Sequence, residues 1–297
     1  MANYKEMIVH YDQLAPTAEN IKFGKATVNK SGQGKSVRLT YNDSTLFIQT
    51  QKLRNPFGFS RGMENTPQFG KKFSCTLSFD LSTAKGKAFR DSMIELQNLV
   101  AKEAYKNRVE WGLGKNAKIS NEMTEKQVHD MMTPIVRVPI DKETMEEITD
   151  YAPTFRVTFN TRNNEDTGEV EAITSEVYDH EGVKMKQVDE TTIRAGSYCK
   201  VLMNSNSVWV SPTGYGINFR IKQIKVYPGD GLPTGKCLIE DDEDDVQTES
   251  PAAQGEEGDD DAGAGAGAGA DDSSSRAAPA APAASLSGKK LSLTKNK

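Results

Sequence analysis

From Ile239 to its end the sequence offers almost nothing that a fold could bury. Residues 240–272 hold 14 Asp and Glu and no Lys or Arg, and the remainder of the stretch is mostly Gly, Ala, Pro and Ser. A like-charge block repels itself, and such a composition presents no apolar face, so this part is expected to stay disordered. Residues 1–238 must then supply the fold, with 239–297 as an acidic low-complexity tail. The body carries 32 Lys and Arg against 28 Asp and Glu, a net of +4. Five basic residues (Arg276, Lys289, Lys290, Lys295 and Lys297) follow the acidic run. The formal charge of −5 therefore hides a basic body, an acidic tether and a basic tip. A tethered polyanion imitates, at high effective concentration, whatever anion the body binds. Nucleic acid is the obvious anion.

A body of this length suits one large domain. No apolar run approaches the ~18 residues that span a bilayer, so no membrane partner is expected. The N-terminal MANYKEMIVHYDQ lacks the basic and apolar regions of a signal peptide. Cys75, Cys199 and Cys237 are odd in number and widely spaced, which fits reduced thiols in an intracellular protein.

The body reads mainly as strands. Lys72–Leu81 alternates, with Phe73, Cys75, Leu77 and Phe79 on one face. Ser36–Tyr41 and Thr45–Gln49 flank a turn at Asn42-Asp43. Phe155–Phe159 is expected to pair with a strand over Val170–Tyr178, and Ser197–Asn204 and Gly216–Tyr227 complete the set. One long helix is predicted, capped by Ser82 or Thr83 and running to Asn107. Its core stripe is Phe89, Met93, Leu96, Val100 and Ala104. Shorter helices are expected at Thr124–Met132 and Lys142–Ile148, with an extended TPIVRVPI between them. Many short strands and one long helix imply a β-barrel or sandwich with a helical insertion.

Nothing asks for catalysis. The three histidines, His10, His129 and His180, stand apart from any Cys or His at ligand spacing, so neither a metal nor a cofactor is expected. Residues 29–36, NKSGQGKS, have the length of a phosphate-binding loop, but Asn29 replaces the first glycine. That loop also needs a following helix, and VRLTY reads as a strand. A hairpin loop is the better description, with Lys30, Lys35 and Arg38 available to a phosphate backbone.

Two segments carry binding chemistry. Residues 49–73 interleave Lys52, Arg54, Arg61, Lys71 and Lys72 with Phe57, Phe59, Phe69 and Phe73. Cations along a backbone and aromatic faces under unstacked bases are what hold single-stranded nucleic acid. The alternative is that Phe57 and Phe59 plug the end of a barrel. In residues 207–228 a turn at Ser211–Gly214 joins two strands. Ile217, Phe219 and Ile221 face inward, while Asn218, Arg220 and Lys222 face outward. Ile224 and Val226 reverse the parity, which places a bulge near Lys222–Gln223 and displaces Lys225 from the basic strip. Trp209 and Tyr215 flank the turn, and Trp209 reads either as a rim core residue or as a stacking platform.

Val208-Trp209-Val210, Tyr215-Gly216-Ile217 and the strand Phe219–Val226 resemble a late segment of the single-stranded-DNA-binding proteins of nucleo-cytoplasmic large DNA viruses, related to the short-tailed coliphage type. IQTQKLRNPFGFSR, Ile48–Arg61, is similar to that family's early loop, and an acidic C-terminal region is shared. The resemblance implies an oligonucleotide-binding (OB-like) β-barrel, no catalysis, and a role in viral DNA replication, recombination and repair. It places the protein inside the cell, in a cytoplasmic viral factory or the nucleus. In the family the acidic stretch tends to finish the chain; here SLSGKKLSLTKNK follows it.

The combined expectation is sequence-tolerant binding of single-stranded DNA. Phosphates are assigned to Lys52, Arg54, Arg61, Lys71, Lys72, Arg220, Lys222 and Lys225, and stacking to Phe57, Phe59, Trp209 and Tyr215. The tail competes for the same groove and recruits replication proteins, and a homo-oligomer is compatible with this scheme. Two other readings of the same features are a histone-chaperone-like acidic protein and a structural virion protein.

Overall fold

The computed structural model describes residues 7–229 apart from 30, 31, 33, 63, 65, 67, 68, 115, 142 and 165–168. The acidic run, the basic tip and Cys237 lie outside the described residues.

The chain begins with β1 (Ile8–His10), β2 (Ile21–Val28), β3 (Lys35–Tyr41), β4 (Leu46–Gln49), β5 (Leu53–Arg54), β6 (Phe59–Ser60) and β7 (Ser74–Ser78). Four helices follow: α1 (Ala84–Lys106), α2 (Arg108–Trp111), α3 (Ala117–Glu122) and α4 (Glu125–Asp130). It resumes with β8 (Thr154–Phe159), β9 (Thr161–Asn163), β10 (Val170–Ile173) and β11 (Glu176–Tyr178). The last strands are β12 (Tyr198–Ser205), β13 (Ser207–Ser211), β14 (Gly214–Ile217) and β15 (Phe219–Tyr227).

The fold is mainly β, but its pairings do not close a barrel. A large sheet runs β1-β4-β12-β15-β8-β7-β6, with β5 also on β12 and β11 also on β15. A small sheet runs β14-β13-β3-β2, and β9-β10 is a separate ribbon. The two sheets are joined at two corners. β12 and β13 are one chain broken at Asn206, and β14 and β15 are one chain broken at Asn218. A single long hairpin therefore belongs to both sheets. Leu39 N–H donates to Asn206 O at 2.9 Å, which pins one corner. Beside the other corner, the extended segment 132–137 links the two sheets, bridging Tyr215 at one end and Thr154 at the other. Thr133 N–H donates to Tyr215 O at 2.8 Å, and Arg137 exchanges backbone bonds with Thr154 at 2.7 and 2.8 Å.

The long helix forms where its periodicity places it. Thr83 Oγ1 accepts from Gly86 N–H at 3.0 Å, satisfying one of the orphan donors of the first turn. Phe89, Met93, Leu96, Val100 and Ala104 are fully buried. Gly86 is set by packing: a Cβ there would lie 1.8 Å from Asp80 O. Phe79, Phe89 and Phe155 join the helix to β7 and β8, with ring centroids 4.9–5.9 Å apart.

Other expectations change. The helix expected at Lys142–Ile148 is a turn. Asp141 Oδ1 accepts from the backbone of Glu143 and Thr144, and Met145 takes φ 60°. Val170–Tyr178 is two strands, and neither pairs with β8, whose partners are β7 and β15. Strand β2 escapes the alternation rule because its register shifts between Phe23 and Ala26. The bulge predicted in β15 is present: Leu202 faces Gln223 and Met203 faces Ile221, leaving Lys222 over.

Candidate nucleic-acid interface

A cleft of about 420 Å³ opens where the two sheets meet. One wall is the extended segment, with Thr133, Pro134, Ile135 and Arg137. The other is the hairpin corner, with Trp209, Ile217, Asn218 and Phe219. Lys72, Arg156 and Thr158 complete the lining.

Alternation explains how the cations arrive there. On β8, Phe155, Val157 and Phe159 are buried, so Arg156 and Thr158 point outward. Arg156 is anchored by a hydroxyl rather than a carboxylate: Nε and NH2 donate to the Ser74 hydroxyl at 3.0 and 2.8 Å. Its positive charge is thus positioned without being neutralised. Burial, and then the nearby Arg137 charge, push the Arg156 pKa below its usual value. Among the described residues Lys72, Arg137 and Arg156 make no ion pair with a carboxylate. Two like-charged guanidinium groups facing one opening give it a positive potential, the chemistry that suits an anion.

Trp209 supplies the aromatic face. Val208 and Val210 are buried beneath β13, so Trp209 stands on the outward side, half-buried. It pairs with Gly216, and the indole lies on that glycine: a Cβ at 216 would be 3.2 Å from both Cζ2 and Nε1. On the other side of β13 the outward face continues. Trp209 stands opposite Ser36, and Ser207 opposite Arg38. A polar hollow of about 340 Å³ follows, lined by Lys25, Thr27, Ser36, Arg38, Thr45, Asn206 and Ser207. Cleft and hollow thus adjoin across one strand, with Trp209 at their shared edge.

The expected site residues divide. Lys72 and Trp209 line the cleft. Arg220 is exposed one strand from Thr158 on the same row, and Lys222 is exposed at the bulge. Lys71 is exposed beside Lys72, and Phe57 is 69% exposed. Lys52, Arg54 and Lys225 gather elsewhere on the large sheet. Two stacking assignments are corrected. Phe59 is core, packed on Phe73 and Phe159 at 5.2 and 5.3 Å, so it has no face for a base. Tyr215 is fully buried, with its hydroxyl donating to Val128 O at 3.0 Å, and burial raises its pKa. Arg61 is already engaged through Nε and NH2 by Glu190. In the 29–34 loop, Asn29 N–H donates to Gly34 O at 3.1 Å and strand β3 follows, as expected of a hairpin. Lys35 donates to Glu110 O at 2.6 Å, while Lys30 lies outside the described residues.

Arg137, Arg156 and Lys25 are additions. Arg156 could have been read from the alternation of Phe155–Phe159. Arg137 could not, because its place depends on a long-range pairing with Thr154. No group of three or more metal-ligating side chains occurs among the described residues, and no helix among them is long and apolar enough to cross a membrane.

No family model and no curated protein matches the chain. Among solved structures it is similar to gp2.5, a single-stranded-DNA-binding protein encoded by bacteriophage T7. The identity is 16%, over 70% of this chain and 97% of that one, with a TM-score of 0.37. It is also similar to the single-stranded-DNA-binding protein of bacteriophage Enc34 in complex with single-stranded DNA. There the identity is 13%, over 74% of this chain and 97% of that one, with a TM-score of 0.40. At these identities and TM-scores the likeness carries no argument for what this chain binds.

Proposed function

We propose that this protein binds single-stranded DNA stoichiometrically and without sequence preference, with no catalytic step. One observation carries the reading: Lys72, Arg137 and Arg156, with no carboxylate partner among the described residues, line one open cleft together with the half-buried indole of Trp209. Cations there neutralise phosphates and release counterions, and the indole takes the face of an unstacked base. A duplex keeps its bases stacked and so cannot use the indole.

In this reading the two sheets form an open, OB-like platform. The acidic residues of the 240–272 run compete for the cleft when DNA is absent and offer a docking segment to replication proteins when DNA fills it. The family resemblance extends the proposal to replication, recombination and repair of a viral genome, in a cytoplasmic viral factory or the nucleus.

Titrating the full chain with labelled single and double strands at two salt concentrations tests this. Single strands should bind tighter. If cleft, hollow and Arg220 together neutralise about six phosphates, the log–log salt slope should be about −4, at about −0.7 per phosphate. Equal affinity for duplex, or a flat salt response, overturns the reading.

A further inference from the structure

The outward face that carries the cleft does not end there. On it Asn204, Arg220 and Thr158 stand side by side on β12, β15 and β8. Past the extra residue at Lys222, the same face carries Leu202 beside Gln223, then Lys200 beside Lys225, then Tyr198 beside Tyr227. Arg54 pairs with Tyr198 from the other side. Nine residue steps of β15 separate Asn218 from Tyr227, a rise of about 30 Å at ~3.3 Å per residue.

This far end combines aromatic rings and cations. Lys52 Nζ lies 4.8 Å from the Tyr198 ring centroid and 4.9 Å from that of Tyr227. Lys225 Nζ lies 5.7 Å from the Tyr227 ring. Lys52, Arg54, Lys200 and Lys225 have no carboxylate partner among the described residues. Glu176, opposite Gln223 on β11, is occupied by Lys184 Nζ and Gln223 Nε2, each at 2.8 Å. An ammonium held over two electron-rich rings marks faces that a base can also take. The flexible lysine stem lets the ammonium move from ring to phosphate as the base arrives.

We propose that Tyr198, Tyr227, Lys52, Lys200 and Lys225 form a second nucleotide subsite, which a single strand reaches only when it is long enough to extend from the Trp209 cleft along β15. The inference rests on the single-strand reading above. Linking the two subsites through one strand makes the second contact intramolecular, so affinity climbs once the strand spans both.

The test is anisotropy of the full chain with thymidine oligonucleotides of about 4, 8, 12 and 16 nucleotides, the range of site sizes for such grooves. Tyr198→Leu with Tyr227→Leu removes the stacking faces and keeps apolar bulk. The shortest strand that binds should keep its wild-type affinity, and the longest should lose at least about tenfold, a loss within the range for removing stacked bases. If the double variant melts early, Lys52→Gln with Lys225→Gln reads the same subsite through a shallower salt slope on long strands only. Equal losses at all lengths, or none at any, overturn the second subsite and leave the cleft standing. So does a wild-type affinity that does not rise with length. Failure of the wild type to bind any strand overturns the single-strand reading and this inference together.

Discussion

Trp209 separates a binding role from a packing role within one side chain. Its inner edge rests on Gly216 and it lines the cleft half-buried, so Trp209→Ala should weaken single-strand binding by about 1–3 kcal/mol. The destabilisation should stay below the ~3–5 kcal/mol expected of a wholly buried tryptophan. Anisotropy and a urea melt on the same protein decide between the roles, and a Trp111→Phe background makes fluorescence quenching assignable. Replacing Arg137 and Arg156 together by Ala should weaken binding to all sequences alike and make the salt slope shallower by about 1.4, two phosphates at ~0.7 each. An unchanged slope with an intact circular dichroism spectrum would remove these residues from the interface. At this scale the sequence reveals residue type and parity well. Arg156 and Trp209 are outward because their neighbours alternate. It does not reveal which outward cation meets a carboxylate from a distant segment, so Arg61 and Arg156 look alike in the chain. Only the fold pairs one with Glu190 and leaves the other with Ser74.

Elements were legible where a local rule sufficed. The α1 stripe, the capping Thr83 and the β15 bulge all follow from periodicity or parity within one segment. The turn at 141–148 and the break between β10 and β11 did not, because short apolar spacings fit helix, strand and turn equally. The burial of Phe59 and Tyr215 was equally hidden, since a loop aromatic and a core aromatic share one composition. Helix α1 also sits under a steric limit that its sequence does not advertise. Gly86→Ala would ordinarily favour a helix interior. Here the added Cβ meets Asp80 O at 1.8 Å, so the helix start must move away from the end of β7. The variant should lose stability in a denaturant melt, by about 1–3 kcal/mol as for overpacked sites generally. A gain in stability would show that the junction has room to yield.

Over the whole molecule the decisive asymmetry is electrostatic. Residues 1–238 carry +4, and residues 239–297 carry −9, from 14 acidic and five basic side chains. Truncation after Leu238 should therefore raise affinity for single strands, most at low salt. The gain should shrink as the Debye length falls to about 8 Å near physiological ionic strength. Removing residues 285–297 alone deletes Lys289, Lys290, Lys295 and Lys297, and should weaken binding slightly. Anisotropy of both truncations at two salt concentrations is the check. Weaker binding by the truncated body at low salt would overturn tail competition and favour an acidic protein that binds basic partners. The hairpin shared by both sheets has a consequence of another kind, for the time course of folding. Strand β3 pairs with β13 and β4 with β12, so early strands wait for partners more than 150 residues downstream. Such non-local closure folds slowly. As the chain leaves the ribosome, β3 and β4 emerge with one edge unsatisfied until the last quarter of the body has been made. An unpaired edge is a template for a neighbouring chain, so this protein should be most prone to aggregation during its own synthesis.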